Sequence, residues 1–330
     1  MTAKTLKSSI LGSWVVAAAL SLACPAAASP RLISVVFNAA QQSPQQLGAD
    51  QLQRKAAESG RDRIVFDARG GGTLGSEAAI LAATRSGAVD VSVLSASPVS
   101  SAVPELGVLD IPFLFRDASH AKAVAEGPVG AAIAAKFADK GLVLLAIGKQ
   151  GFRNITNSKR PIRSPSDLKG LKIRVVPNDV YQMTFKALGA EVVPLDFPLV
   201  YAGLKDGRID GQENPVATIG SSRFQEVQKY LSLTSHFFAG VVFVANRRMF
   251  EQLSPADQEL LVAAAKDGAN ATWRDGDQAD AKWLDELRKG GMEVTEKIDR
   301  QPFIDAVKSL EPEFEKRFGK DLLAAIRSTP

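Results

Sequence analysis

Residues 168–215 read LKGLKIRVVPNDVYQMTFKALGAEVVPLDFPLVYAGLKDGRIDGQENP. Leu171–Val176 is rich in branched apolar residues and is predicted to be a strand. Pro177–Leu188 has helical spacing and ends at Gly189, which accepts the left-handed conformation of a helix stop. Ala190–Val193 is a further strand, and Pro198–Lys205 a further helix. Asp206-Gly207 then turns the chain into Arg208-Ile209-Asp210-Gly211. Strand and helix alternating at this spacing is the order of an α/β layer on a parallel sheet.

The same alternation extends outward. Upstream, Arg31–Phe37, Arg63–Ala68 and Val89–Leu94 read as strands, the last a nearly continuous apolar run suited to a buried sheet. Between them lie helical patterns over Gln45–Ser59, ended by Gly60, and from the cap Ser76 through Arg85, stopped by Gly87. Ala118–Lys140 reads as helical and Val143–Ile147 as a strand. A second unit starts near Gly151, with a capped turn at Ser164–Leu168. Downstream, Gly240–Asn246 is a strand, and Ser254-Pro255 opens a helix expected to reach about Lys289, with Gly268 and Gly276 as places for a bend. At 1.5 Å per residue such a helix spans roughly 50 Å, more than one domain, so it is expected to bridge two. The predicted organisation is a segment 1–28 apart from the fold, a first lobe of 29–150 plus about 240–277, and a second of 151–239 plus about 278–330. With two crossings and no floppy tether, the lobes should form a hinged cleft.

Composition narrows the function. The chain has 330 residues, 45% hydrophobic and 23% charged, with formal net charge +4 and 7% aromatic residues. So small an excess of basic residues, with few aromatics, argues against nucleic acid as a partner. Lys4 and Lys7 precede an apolar run from Ile10 to Ala23 and then Ala26-Ala27-Ala28, the pattern of a secretory leader cleaved after Ala28. Cys24, the single cysteine, lies inside that leader. Ser21 stands where a lipidation motif wants leucine. A mature chain without Cys24 has no disulfide, thiol nucleophile or cysteine metal ligand.

Catalytic patterns are weak. Gly70-Gly71-Gly72-Thr73-Leu74-Gly75 matches G-x-G-x-x-G, but it follows the second strand and no acid closes the next one, so a glycine-rich turn is expected. Two S-x-x-K matches, at Ser119 and Ser166, lack companion motifs. The two histidines, His120 and His236, fall in different units, which leaves no clustered zinc site. No cofactor, metal or catalytic residue is predicted.

Arg174 is the residue to explain. Strand alternation puts Ile173 and Val175 on one face and Arg174 on the other. It is either a solvent-facing arginine on an edge strand or a guanidinium facing a cleft, where its planar fork matches a carboxylate. Arg153, just after the expected crossing, is either an exposed turn residue or part of a cleft wall. Asp210–Pro215 has turn composition. Its polar side chains either close the turn on itself or serve a ligand, for which Asn214 offers both donor and acceptor.

From about Val36 to Phe314 the chain resembles the extracytoplasmic solute-binding subunits of tripartite ATP-independent periplasmic (TRAP) transporters, the DctP-like dicarboxylate-binding family. LKGLKIRV with Arg174, ALGA at 187–190, GRIDGQENP at 207–215, EVQKYLSLTSH at 226–236, LGSE at 74–77 and ELGVLDIPFLF at 105–115 carry the resemblance. It implies a two-lobed α/β periplasmic-binding-protein fold, with a ligand cleft between lobes and a long helix bridging both. It implies a periplasmic subunit that binds an organic acid and hands it to small and large integral membrane subunits for ion-gradient-driven uptake. Arg174 would pair with the ligand carboxylate, Arg153 would be a second arginine at the site, and Asn214 would orient the ligand. Glu77, Phe197, Gln212 and Asn38 would line the cleft. The same cleft could instead present its ligand to a sensor kinase or chemoreceptor, and an exported hydrolase is a more distant reading. Leu199 stands where the family often has glutamate. With Phe197 and Phe237-Phe238 nearby, a more apolar pocket is expected, and the identity of the acid is left open.

Overall fold

The structure is a computed structural model that describes residues 1–2, 30–60, 63–72 and 74–330. The expected leader, with Cys24, therefore lies outside the described residues except for Met1 and Thr2, and so does Thr73 of the glycine-rich turn. Among the described residues, nine strands form one sheet: β1 (Arg31–Val36), β2 (Ile64–Arg69), β3 (Val91–Ser95), β4 (Leu142–Asn157), β5 (Lys172–Val175), β6 (Glu191–Pro194), β7 (Gly211–Pro215), β8 (Tyr230–Asn246) and β9 (Glu293–Thr295). The order is β2-β1-β3-β8-β4-β7-β5-β6, with β9 against β8.

The sheet is mixed rather than parallel throughout. β1 pairs in parallel with β2 and β3, and β5 with β6 and β7. At the centre, β8 runs antiparallel to β3 and β4, and β4 antiparallel to β7. Sequence reading found only Val143–Ile147 and Gly240–Asn246 of the two central strands. Their register runs from Leu142 opposite Asn246 to Asn157 opposite Tyr230, with shifts between Leu144 and Ala146, Lys149 and Gly151, and Arg153 and Ile155. Such bulges break the period of two that marks a strand in sequence. Gly151, read as the start of a new unit, lies inside β4 with φ of +135°, a backbone state that favours glycine.

Two other expectations change. Ala118–Lys140 is two helices, Ala118–Glu126 and Pro128–Ala135, followed by a short turn at Ala138–Lys140. Pro128 cannot continue a helix, because it lacks the N–H and its ring clashes with the preceding turn. The polar run Gly211–Pro215 is not a turn but strand β7, every residue of it buried between β4 and β5. Its turn-like composition reflects the polar work its side chains do, described below.

Among the described residues the buried apolar side chains divide into four clusters. β8 shows the logic: Val242 and Val244 enter one cluster, Val241, Phe243 and Ala245 another, so both faces of that end of the sheet are covered. At the other end, Ile155, Ile173 and Val175 belong to a third cluster and Val200, Ile209 and Leu231 to a fourth. The helix Pro255–Lys289 is continuous and spans both ends: Leu261, Ala264 and Ala265 pack in the second cluster and Leu287 in the fourth. Ser254 Oγ caps it by accepting from the Asp257 N–H at 3.2 Å. At its midpoint it grips the bulged part of β4. Trp273 Nε1 donates to the Ile147 carbonyl at 3.1 Å, and the Lys149 N–H donates to Thr272 Oγ1 at 2.9 Å. Near the C-terminus, Phe303 and Val307 join the third cluster, whereas Phe314, Leu323 and Ile326 join the first.

Gly268 shows how closely this helix is seated. A Cβ there would lie 2.5 Å from the Gly48 carbonyl oxygen, whereas at Gly276 it would first meet the flexible Lys149 side chain at 3.4 Å. Gly268→Ala is expected to cost about 1–3 kcal/mol through overpacking, a fall of several degrees in Tm by calorimetry. Gly276→Ala should leave Tm unchanged or raise it, because alanine is the better helix former.

Candidate functional site

β5 is short and buried, and its alternation holds. Ile173 and Val175 face the core, and Arg174 points from the opposite face with only 2% of its surface exposed. Its Cα partners are Val193 on β6 and Gln212 on β7, so β5 is an inner strand and the solvent-facing reading falls. Arg174 Nε donates to the Leu195 carbonyl at 2.7 Å, and its Cζ lies 6.0 Å from the Phe197 ring centre. Nη1 is buried without any hydrogen-bond partner. Burial pulls its pKa down to about 10; the Arg153 charge adds to this, while Glu213, Glu77 and Asp196 oppose it. The guanidinium is still cationic near neutral pH.

Arg174 forms part of the wall of a cavity of about 80 Å³ between the two ends of the sheet. One water needs roughly 10–15 Å³ of such space, so the cavity has room for a small organic molecule. Of the sequence-predicted residues, Asn38, Glu77, Arg153, Arg174, Phe197 and Asn214 line it. Asn38 Nδ2 donates to the Gly75 carbonyl at 2.8 Å. Glu77, first residue of the helix Glu77–Ser86, accepts on Oε1 from Gln45 Nε2 and from the Ser95 N–H, both at 2.7 Å. Gln212 is not on the wall. It sits behind Asn214, accepting from Asn214 Nδ2 at 2.5 Å and donating to Thr156 Oγ1 at 2.9 Å. Thr156, Gln212 and Arg174 are lateral neighbours across β4, β7 and β5, which explains why a polar sequence is buried in β7.

Arg153 reaches the cavity with its charge already answered. Nη2 donates to the Glu213 carbonyl at 2.7 Å and to Glu213 Oε1 at 2.8 Å, while Nε holds Oε2. Burial works against the Arg153 charge, but the Glu213 carboxylate outweighs it and the pKa lies above its ordinary value. Burial likewise opposes the Glu213 charge, and Arg153 with His236, 3.3 Å away, holds the carboxyl below its usual range. Sequence reading quoted Glu213 without assigning this role. The two arginines are therefore unequal: one is paired within the protein and the other is not.

The cavity is also more polar than expected. Leu199 is half exposed and absent from the wall; Phe237 and Phe238 pack in the core. Gln45, Ser95, Ser97, Gln150, Thr218 and Asp196 line the site, all missed from sequence. Ser95 and Ser97 could have been found, because ligands in α/β folds gather at the carboxyl ends of parallel strands; Ser95 ends β3 and Ser97 follows in the short helix Ala96–Val99. Gln150 had no signal, since it lies in the bulged centre of β4. His120 and His236 serve packing networks: His120 Nε2 meets the Ile326 carbonyl at 2.9 Å, and His236 Nδ1 meets Thr234 Oγ1 at 2.7 Å. Among the described residues no group of three or more His, Cys, Asp or Glu is placed to hold a metal ion. Gly71, Gly72 and Gly75 all have left-handed φ, as a tight turn requires.

Behind Ser97 lies a further buried carboxyl. Asp110 accepts from Ser97 Oγ at 2.6 Å and from Asn178 Nδ2 at 3.1 Å, and burial raises its pKa to about 7. From about pH 4 to about pH 7 the folded protein keeps a proton that the unfolded chain has released, so this group lowers stability as pH rises. Asp110→Asn removes that proton linkage. The Tm of the variant relative to wild type should increase between about pH 5 and about pH 8, measured by calorimetry without ligand; a constant offset would count against the raised pKa.

Comparison with known proteins agrees with this architecture. A family model described as bacterial extracellular solute-binding protein, family 7 (DctP) matches residues 35–317. A solute-binding protein of Verminephrobacter eiseniae is 37% identical over 302 residues, covering 92% of this chain and 90% of that protein. The 2,3-diketo-L-gulonate-binding periplasmic protein YiaO of Escherichia coli is 38% identical over 235 residues, covering 71% of this chain and 72% of its own. A TRAP periplasmic solute-binding protein from Polaromonas sp. JS666, solved bound to D-erythronate, has a TM-score of 0.88 at 36% identity, covering 90% of this chain and 98% of that one. With its α/β lobes, bridging helix and enclosed polar cavity, the chain belongs to family 7 of the bacterial extracellular solute-binding proteins, the DctP family of TRAP transporter solute-binding subunits.

Proposed function

We propose that this chain captures an organic acid in the cavity by pairing its carboxylate with Arg174, and that it acts by binding alone. The observation that carries this reading is the buried, unpartnered Nη1 of Arg174 on the cavity wall. A buried cation with an unmet donor is costly. A carboxylate there supplies charge and hydrogen-bond acceptors together. Asn214, held by Gln212, is positioned to orient the rest of the ligand. The known ligands of relatives support the class: YiaO is named for 2,3-diketo-L-gulonate, and the Polaromonas protein holds D-erythronate, both organic acids.

In the cycle that follows, the lobes open about the bulged centre of β4 and β8. The unpaired Arg174 attracts the acid, and closure shuts out water, which strengthens the charge-assisted bonds. The closed, loaded protein is then recognised by the small and large integral membrane subunits that carry out transport. The basic-apolar-small pattern of residues 1–28 supports export to the periplasm, and no helix of the described residues is long and apolar enough to cross a membrane.

Arg174→Lys keeps a charge but loses the planar fork. Affinity for the bound acid should fall about tenfold or more, read by titration calorimetry; unchanged affinity would remove Arg174 from its role. Mass spectrometry of the exported protein should place the mature N-terminus at Ser29, with no titratable thiol. A retained Cys24 would overturn the leader assignment.

A further inference from the structure

Two buried polar atoms on the cavity wall have no partner, and they are of opposite kinds. Arg174 Nη1 is a donor with no acceptor, and Gln150 Oε1 is a buried acceptor with no donor. Glu77 Oε2 makes no hydrogen bond among the described residues, whereas its Oε1 is anchored by Gln45 and by the Ser95 N–H. Those two anchors fix the Glu77 carboxylate, which helps hold the charge of Arg174. Arg153 has no free charge to offer, because Glu213 takes it from two sides. Asp196, also on the wall, adds a further negative group. The site therefore has one unanswered cation and an excess of acceptors.

A carboxylate is acceptor-only, so it satisfies Arg174 but is repelled by Glu77 and gives nothing to Gln150. A hydroxyl donates, and answers both. We propose that this site takes a hydroxy monocarboxylate and rejects dicarboxylates, with Glu77 as the residue that discriminates. Arg174 takes the single carboxylate. Glu77 Oε2 and Gln150 Oε1 accept from hydroxyls on the rest of the ligand. Discrimination arises as much from the repulsion of a second carboxylate as from the new hydrogen bonds. The inference rests on the organic-acid reading of the cavity and sharpens it.

Titration calorimetry with D-erythronate, D-gluconate, succinate and glutarate tests it. At least one hydroxy acid should bind wild type about tenfold or more tighter than either dicarboxylate. Glu77→Gln keeps an acceptor for Gln45 and Ser95 while removing the charge. It should weaken the hydroxy acid several-fold and reduce or reverse its advantage over succinate, whereas Arg174→Lys should weaken every acid that binds. Succinate or glutarate equalling the hydroxy acids on wild type overturns the inference alone, a comparison that needs no variant to fold. A selectivity ratio unchanged in folded Glu77→Gln overturns the role of Glu77. No binding by any of the four acids overturns both this inference and the organic-acid reading.

Discussion

The antiparallel pairing of β4 with β8 is the constraint from which the rest of the molecule hangs. Each strand passes through both lobes, and their joint register is interrupted three times around the middle. Both lobes add their own strands to this shared pair: β3, β1 and β2 on one side, β7, β5 and β6 on the other. Each bulge disrupts the ladder locally, bends its strand and increases the local twist. The long helix crosses at the same place and is tied to β4 at Ile147 and Lys149, and further along its Asp280 accepts from the Ala217 N–H at 3.1 Å, just after β7. Bulged strands, helix and cavity thus meet in one place, and Gln150 at the bulge is itself part of the cavity wall.

The cost of burying charge explains the division of labour between the two arginines. Arg153 is matched inside the protein by Glu213, with His236 and Tyr181 packed around the pair; its Cζ lies 5.3 Å from the Tyr181 ring centre. This pair stabilises the site's architecture only because every charged group in it has a partner. Arg174 is left incomplete. Its Nε is tied to the backbone, which aims the fork, and its buried Nη1 has no partner. On the proposed reading, preorganising a cation in this way shifts part of the cost of binding into folding and leaves ligand energy for closure.

Much of the fold was legible in sequence because it follows local rules. The Ser76 and Ser254 caps and the Gly87 and Gly189 stops lie where pattern placed them, and the helix from Pro255 to Lys289 has the expected bounds. The missed strand segments share a cause beside the bulges. β7 and the inner halves of β4 and β8 are buried yet polar, because their side chains pair across strands, and hydropathy cannot report a partner far away in sequence. Leu199 misled in the opposite sense: its proximity to Phe197 along the chain says nothing about which way it faces, and it faces solvent.

What the chain determined by itself was the alternation of elements, the capped bridging helix and the placing of Arg174 on the face opposite Ile173 and Val175, since each depends on spacing of a few residues. Only the tertiary structure decided which charges are free. The Arg153–Glu213 pair, the anchoring of Glu77 by Gln45 and Ser95, and the withdrawal of Gln212 behind Asn214 join residues 18 to 60 positions apart or set one side chain in front of another. Partnering of this kind arises when strands and helices distant in sequence are packed together, and it is there that the chemistry of the cavity is set.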